Sequence, residues 1–168
     1  MAIEVRAGEY TGGLVGKAQG ARIQSCFSKG QVYGNSHVGG IAGFCDKDVR
    51  VINSYSHSSI AFQKGGGGGA VGKNLGVLEF AYSLGEVKSS VGELKNANLD
   101  GAGGLVGIGE KNLVLNSYWD KSTSGISESA GGEPRITLDM KKRSNYVDWD
   151  FEKVWKIDNN YPKLSWEK

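Results

Sequence analysis

Proline, cysteine and net charge are all scarce in this 168-residue sequence. Pro and Cys occur 2 times each, which excludes a collagen-like chain and a disulfide-rich secreted scaffold. The 20 Lys and Arg against 18 Asp and Glu leave a formal net charge of +2. That charge is too small for a strongly basic nucleic-acid module or an acidic mimic of DNA. We therefore expect no nucleic-acid partner. Because no apolar run approaches the roughly 20 residues of a membrane-spanning helix, we also expect no membrane insertion.

Glycine, by contrast, is abundant and regularly placed. Four copies of a GGLVG-like string account for many of the 27 glycines. They lie at Gly12–Gly16, Gly39–Gly43, Gly68–Gly72 and Gly103–Gly107. Their starts are 27, 29 and 35 residues apart, a spacing typical of solenoid repeats.

Three further columns of residues follow the same repeat. An aromatic residue comes 13 to 15 residues after each glycine pair, at Phe27, Tyr55, Tyr82 and Tyr118. Four residues before it lie Ile23, Val51, Leu78 and Val114, and five after it lie Val32, Ile60 and Val87, with Thr123 breaking the pattern. Equivalent side chains of stacked repeats can form a continuous core, so we expect these columns to share one interior.

The runs between the glycines are short and β-prone, which predicts strands rather than helices. The fold expected is all-β: residues 1–132 form a short β-helix or β-solenoid of about four glycine-rich coils. Residues 133–168 are expected to be a Trp- and Tyr-rich C-terminal cap within the same compact unit, with a short helix that has Thr137 as its N-cap. No comparable segment precedes the first repeat, so either Met1–Tyr10 forms a strand that covers the N-terminal end, or a partner or a second copy of the chain covers it.

The motifs resemble a known repeat family. The GGLVG strings with the NSYS segment at Asn53–Ser56 resemble the GLUG-motif repeat of filamentous-haemagglutinin-type adhesins and immunoglobulin A peptidases. The segments NSYWDKSTSG, ITLDMKK, WDFEKVWKI and YPKLSW resemble the segment that closes such repeat arrays. The resemblance covers residues 11–166. It implies a β-solenoid scaffold of bacterial surface proteins, with no catalytic residues to carry over.

Catalytic and nucleotide-binding interpretations are weak in this sequence. Gly67–Lys73 fits a phosphate-loop pattern, but Asn74 stands where Ser or Thr should ligate magnesium. A nucleophile pair of His57 with Ser56 or Ser58 lacks an oxyanion-hole motif. Carboxylates for glycoside hydrolysis could come only from a scattered set, Asp120, Asp148 and Asp150. We therefore expect no enzyme and no cofactor.

The two thiols, Cys26 and Cys45, are expected to be small residues in or near the core. No short ligand spacing joins them to His37 or His57, so we expect no metal site. Whether the two cysteines form a disulfide depends on their separation, which the sequence leaves open.

The function expected is a non-enzymatic, adhesin-like module that binds a protein or a glycan. The candidate binding residues are the tryptophans and the basic cluster of the C-terminal part: Trp119, Lys141, Lys142, Arg143, Trp149, Trp155 and Trp166. The alternative is a small cytoplasmic, phage-encoded inhibitor of a host protein. The resemblance implies the bacterial surface or secretion, whereas the two cysteines and an N-terminus without a signal-peptide core favour the cytoplasm if Met1 is the native start.

Overall fold

A computed structural model describes residues 3–90 and 101–168, in which nearly all regular structure is short β-strand. The chain winds as a β-solenoid with five strands in each coil, and equivalent strands of successive coils pair in parallel. We call each coil's layer a rung. The four repeats form four rungs, and the path of the chain from the first rung to the fourth makes about three turns, slightly fewer than the expected count of about four.

Five parallel sheets, A to E, run along the solenoid. Sheet A contains Ile3–Arg6, Gly30–Gly34, Ser59–Phe62 and Val87–Ser89. Sheet B contains Glu9–Gly12, Ser36–Gly39, Gly67–Gly68 and Ala102–Gly103. Sheet C contains Val15–Ala18, Ala42–Cys45, Val71–Asn74 and Val106–Gly109. Sheet D contains Arg22–Gln24, Arg50–Ile52, Val77–Glu79 and Val114–Leu115. Sheet E contains Phe27–Ser28, Tyr55–Ser56, Tyr82–Ser83, Tyr118–Asp120 and Glu133–Arg135.

The strand register confirms the alignment of the repeats. The aromatic column pairs residue by residue in sheet E, and the column that begins at Ile23 does so in sheet D. The column that begins at Val32 pairs in sheet A and also includes Val5. Thr123 lies in a helix instead, which explains why it breaks the pattern.

The columns do not share one interior, contrary to the expectation. The Ile23 column packs inside the solenoid with Ile41, Ala70 and Leu105 of the glycine-led strings. The Val32 column forms a small cluster with Val38 and Phe62. The aromatic column forms a third cluster with residues of the C-terminal cap. Successive side chains of a strand point to opposite faces, and in sheet E the residue after each aromatic points inward; it is serine in the first three rungs and Trp119 in the fourth.

The paired glycines make room for these inward side chains. A Cβ atom on Gly40 would lie 1.8 Å from Ser56 Oγ and 2.5 Å from the carbonyl oxygen of Gly69. Ser28 and Ser83 take the same place in their own rungs, and Trp119 takes it in the last. Glycine is therefore required where one coil lies on the next.

The fourth rung is covered by Trp119 and by the loop at residues 126–132. The indole Nε1 of Trp119 donates to the Ile126 carbonyl at 3.2 Å. The Gly104 amide donates to the backbone carbonyl of Glu128 at 2.9 Å, and the Ala130 amide donates to the backbone carbonyl of Val106 at 3.0 Å. This end of the interior is thereby closed by a loop that precedes residue 133.

The remaining elements are short. Helix α1 is Lys121–Ser124 and helix α2 is Thr137–Met140, with 3-10 turns at Lys111–Leu113 and Arg143–Asn145. Trp155–Lys156 and Lys163–Leu164 pair antiparallel. The predicted short helix is thus present, but its N-cap is Ile136. The prediction of Thr137 as the N-cap was wrong because its hydroxyl bonds to Asp120 instead.

Candidate functional site

The aromatic column forms a stacked ladder on the outer side of sheet E. The rings of Phe27 and Tyr55 lie 5.1 Å apart with 7° between their planes, and those of Tyr55 and Tyr82 lie 4.9 Å apart with 10°. This spacing is close to the separation of neighbouring strands in a sheet. The parallel register alone therefore produces the stacking.

The C-terminal cap covers this ladder from the side. Near the fourth rung, the Val147 amide donates to the Tyr118 hydroxyl at 3.2 Å and the Trp149 indole donates to the Asn116 carbonyl at 2.8 Å. Near the first two rungs, the Tyr55 hydroxyl donates to Glu167 at 2.7 Å. The expected cap is present, but it runs along sheet E from the last rung to the first instead of across the end of the stack.

A buried carboxylate joins the cap to the solenoid. Asp120 is fully buried, and its Oδ1 accepts the Ser122 and Thr123 amides at 2.8 and 3.3 Å, which caps α1. Its Oδ2 accepts the hydroxyls of Thr137 at 2.7 Å and Tyr161 at 2.8 Å. Burial raises the pKa of Tyr161 to about 12, and its hydrogen bond to Asp120 adds to the shift.

At the opposite end, the first rung is uncovered. An open groove of about 660 Å³ lies there, lined mostly by apolar residues of the first repeat, by Arg22, Gln24 and Ser25, and by Trp166 of the cap. Leu14 is 41% exposed and Trp166 is 59% exposed. In sheets A to E the first-rung strands have no neighbour on this side among the described residues. Within residues 3–90 and 101–168, the interior is therefore covered at the fourth rung and uncovered at the first.

The comparisons with known proteins agree with this architecture. The sequence profile of the GLUG motif matches residues 7–33, which cover most of the first coil, and the other repeats follow in register. This chain is a GLUG-repeat protein. A solved structure of a provisionally assigned immunoglobulin A1 protease from Bacteroides ovatus superposes with a TM-score of 0.72 at 20% identity. The superposed region covers 99% of this chain and 56% of the solved chain, and the likeness shows the β-solenoid fold.

Two curated relatives carry similar sequence in much longer proteins. A protein from Evansella cellulosilytica, provisionally named a Gly-rich membrane protein, is 35% identical over 132 residues, 68% of this chain and 14% of its own length. Halomucin from Haloquadratum walsbyi is 27% identical over 195 aligned positions, 95% of this chain and 2% of its own length. This chain therefore spans only a small part of the length of either relative.

Three of the four tryptophans predicted to bind a partner are buried in this GLUG-repeat fold. Trp119, Trp149 and Trp155 are 3%, 6% and 1% exposed. Trp119 closes the interior, and the other two pack over the aromatic ladder. Only Trp166 lies at the surface, beside the first-rung groove. These three tryptophans are therefore not accessible to a ligand at the surface of the protein.

The basic cluster lies on the outside of the cap. Lys141 Nζ lies 5.2 Å from the ring centre of Tyr161, and the Arg143 guanidinium lies 5.1 Å from that of Phe151. Lys142 pairs with Asp139 at 3.0 Å. These contacts hold the three side chains to the cap's own surface, and their role towards a partner stays a prediction.

The carboxylates considered for hydrolysis have structural partners. Asp150 Oδ1 accepts the amides of Glu152 and Lys153 at 3.0 and 2.9 Å. Asp148, which has a positive φ of 60°, accepts from Asn116 at 3.4 Å. Asp120 accepts hydrogen bonds from two backbone amides of α1 and from the hydroxyls of Thr137 and Tyr161. Each carboxylate thus shapes the local backbone or joins the cap to the solenoid.

His57 contacts the aromatic ladder rather than a serine nucleophile. Its Nε2 lies 2.9 Å from the oxygen of the Tyr82 hydroxyl. That hydroxyl donates its hydrogen to the Pro162 carbonyl at 2.5 Å. Burial lowers the pKa of His57 to about 4, with smaller contributions from Lys29 and Lys163. The imidazole is therefore neutral at physiological pH.

The cysteines and the phosphate-loop pattern also belong to the repeat. Cys26 and Cys45 are free thiols, and the described residues contain no group of three metal-ligating side chains. Burial raises the pKa of Cys45 to about 12. A Cβ on Gly69, within the phosphate-loop pattern, would lie 2.2 Å from the Gly104 carbonyl oxygen, so this glycine packs against the next coil. In the described ranges, no helix is long and apolar enough to cross a bilayer.

Sequence reasoning missed the residues that line the open groove. The repeat pattern predicts that Leu14 and Phe27 belong to the first copy, but it does not by itself indicate that they line an exposed groove. The signal was available, because the first copy of any stacked repeat exposes the face that later copies bury.

Proposed function

We propose that this GLUG-repeat solenoid is a non-enzymatic, adhesin-like binding module that takes a protein partner onto the face of the first rung that the described residues leave uncovered. The observation that carries the proposal is the uncovered apolar groove beside Leu14, Phe27 and Trp166. Monomeric proteins seldom leave an apolar surface with unpaired strand edges uncovered. Such an edge is suited to accept an extended segment from another chain.

The hydrogen bonds along sheet E indicate how a partner would add. The Tyr55 amide donates to Cys26, the Tyr82 amide to Ser54 and the Tyr118 amide to Ala81, so each rung donates to the rung before it. Phe27 occupies the equivalent position in the first rung, where sheet E ends. An added strand would accept from this amide and bury Leu14 and Trp166.

Support for a non-catalytic role comes from the committed polar groups. The carboxylate Asp120 has four hydrogen-bond donors, and His57 is bonded to a buried tyrosine. A general base must reach its substrate, but Asp120 is fully buried and the half-buried His57 is held by the Tyr82 hydroxyl. The residues that carry binding in this proposal are therefore apolar and at the first rung.

The test is site-specific photo-cross-linking in the native cells. A cross-linking residue at position 14 should capture a discrete protein, whereas the same residue at Leu138, which is 70% exposed on the cap, should not. The captured protein should bind the purified chain, and Leu14→Lys should abolish that binding. Equal or absent capture at both positions would contradict the proposal. The identity of the captured protein separates an adhesin-like module from the inhibitor alternative.

A further inference from the structure

The outer face of sheet A carries a polar ladder with a gap in its third rung. One outward column is Arg6, Tyr33, Ala61 and Lys88, and its neighbour is Glu4, Gln31, Ser59 and Glu86. The third rung contributes only small side chains, Ser59 and Ala61, between larger ones on both sides. A cavity of about 240 Å³ occupies this position.

The walls of the cavity combine one aromatic ring with hydrogen-bonding groups. The Arg6 guanidinium lies 4.3 Å from the centre of the Tyr33 ring, on the first-rung side, and Ala61 follows on the other side. The fourth-rung wall is Lys88, which is paired with Glu86 at 2.8 Å. Two rungs span roughly 9.6 Å, so Tyr33 and Lys88 stand on either side of Ala61, which is itself only 5% exposed.

A second small cavity flanks Tyr33 at the neighbouring corner. It measures about 270 Å³ and is lined by Arg6, Asn35, Gln63 and Ser90 in addition to Tyr33. Asn35 Oδ1 is buried and has no hydrogen-bond partner among the described residues. Because that oxygen has no access to solvent, a ligand in this cavity would meet the other polar groups of its lining, the Gln63 amide and the Ser90 hydroxyl.

Charge and chemistry narrow the ligand class. The ionic groups on this face are paired within their own rungs, Arg6 with Glu4 and Lys88 with Glu86, and the two middle rungs are neutral. Each cavity has the volume of roughly eight or nine waters at about 30 Å³ each, which is room for one sugar ring. Amide, hydroxyl and carboxylate groups around an aromatic ring suit a neutral polyol better than an apolar side chain.

We propose that the two cavities beside Tyr33 are adjacent subsites for a neutral glycan. One pyranose ring fills the place left by Ala61 and stacks on Tyr33, and the next binds beside Asn35. This surface differs from the open first rung, so the glycan site stands or falls independently of the protein-binding proposal.

Saturation-transfer NMR with maltotriose, cellotriose, mannotriose and N-acetylchitotriose tests the proposal directly. We expect transfer from the protein to at least one of these sugars, with a dissociation constant on the order of 1 mM. The disaccharide of that sugar should bind more tightly than its monosaccharide, because two subsites are present. Ala61→Leu, which fills the gap on an outward position, should weaken binding at least about tenfold, as should Tyr33→Ala.

Matched controls separate the site from general effects. Ala61→Ser keeps the gap and should keep binding, and Leu14→Lys should leave it unchanged because that residue lies at the first rung. Because Ala61 is 5% exposed, Ala61→Leu should lower the melting temperature, so binding is measured well below the melting temperature of each variant; Ala61→Ser and Leu14→Lys should melt as the wild type does. No transfer to any sugar would overturn the proposal, as would transfer that survives Ala61→Leu. Transfer only to N-acetylphenylalaninamide would assign the gap to an aromatic side chain of a protein and would equally overturn it.

Discussion

Replacement of Tyr82 by alanine tests the aromatic ladder most severely. Tyr82 is fully buried, stacks 4.9 Å from Tyr55 and lies 6.1 Å from Trp155 of the cap. Its hydroxyl donates to Pro162 and lies 2.9 Å from His57. The substitution therefore removes a ring from the middle of the ladder together with two polar contacts.

The magnitude follows from these contacts. Truncation of a buried aromatic residue to alanine costs about 3–5 kcal/mol through lost burial and the cavity left behind. Tyr82→Phe keeps the ring and removes the hydroxyl, which leaves a buried carbonyl without its donor and costs about 1–3 kcal/mol. The order wild type, Tyr82→Phe, Tyr82→Ala should thus describe falling stability.

Urea unfolding followed by tryptophan fluorescence measures the change, because Trp149 and Trp155 lie against Tyr82. Tyr33→Ala is the matched control: it removes the same side chain one rung earlier, from the outer face of sheet A, and should cost no more than about 1 kcal/mol. Equal losses for Tyr33→Ala and Tyr82→Ala would refute the assignment of the aromatic column to a buried cluster.

Three other predictions follow from the same structure. Gly40→Ala should lower the free energy of unfolding by roughly 1–3 kcal/mol, measured by urea unfolding, whereas Gly8→Ala, where an added Cβ meets nothing within 4 Å, should be neutral. His57 has a pKa near 4 when folded against 6.5 in a free chain, so the unfolded state binds its proton first. Stability should fall as pH drops from about 6.5 towards 4, and a His57→Gln variant that keeps the full slope would contradict this. A thiol reagent should modify Cys26 in the native protein and reach buried Cys45 only on unfolding; equal rates would refute it.

The register of the solenoid could be predicted from the sequence because each coil repeats the same constraints. Glycine pairs, the Ile23 column and the aromatic column each recur once per coil, and any two of them determine the alignment. The irregular spacing of 35 residues before the last copy did not obscure it.

The face of sheet E on which the aromatic residues lie was harder to predict. Placing Tyr55 inside overlooked the two-residue period of a strand, which puts Tyr55 and Ser56 on opposite faces. Ser56 fills the space above Gly40, so the tyrosine had to point outward and needed a cover. That cover comes from residues distant in sequence, and local patterns carry no information about where such a segment packs.

Closure of the stack was also only partly predictable. The change from serine to Trp119 in the fourth copy places an indole against Gly104, where Gly40 and Gly69 of the earlier copies meet the backbone of the next coil. The outward ladder around Tyr33 and Ala61 could likewise be read one residue along from the Val32 column. Its cavities depend on rotamers and rung spacing, which only coordinates supply.

Residue-resolved amide hydrogen exchange tests the central claim, an interior closed at the fourth rung and open at the first. The amides of Tyr55, Tyr82 and Tyr118 each donate to the preceding rung and should exchange slowly. The Phe27 amide has the same position in the first rung and no strand beyond it, so it should exchange orders of magnitude faster. Equal protection of Phe27 and Tyr82 in the isolated chain would contradict the open rung.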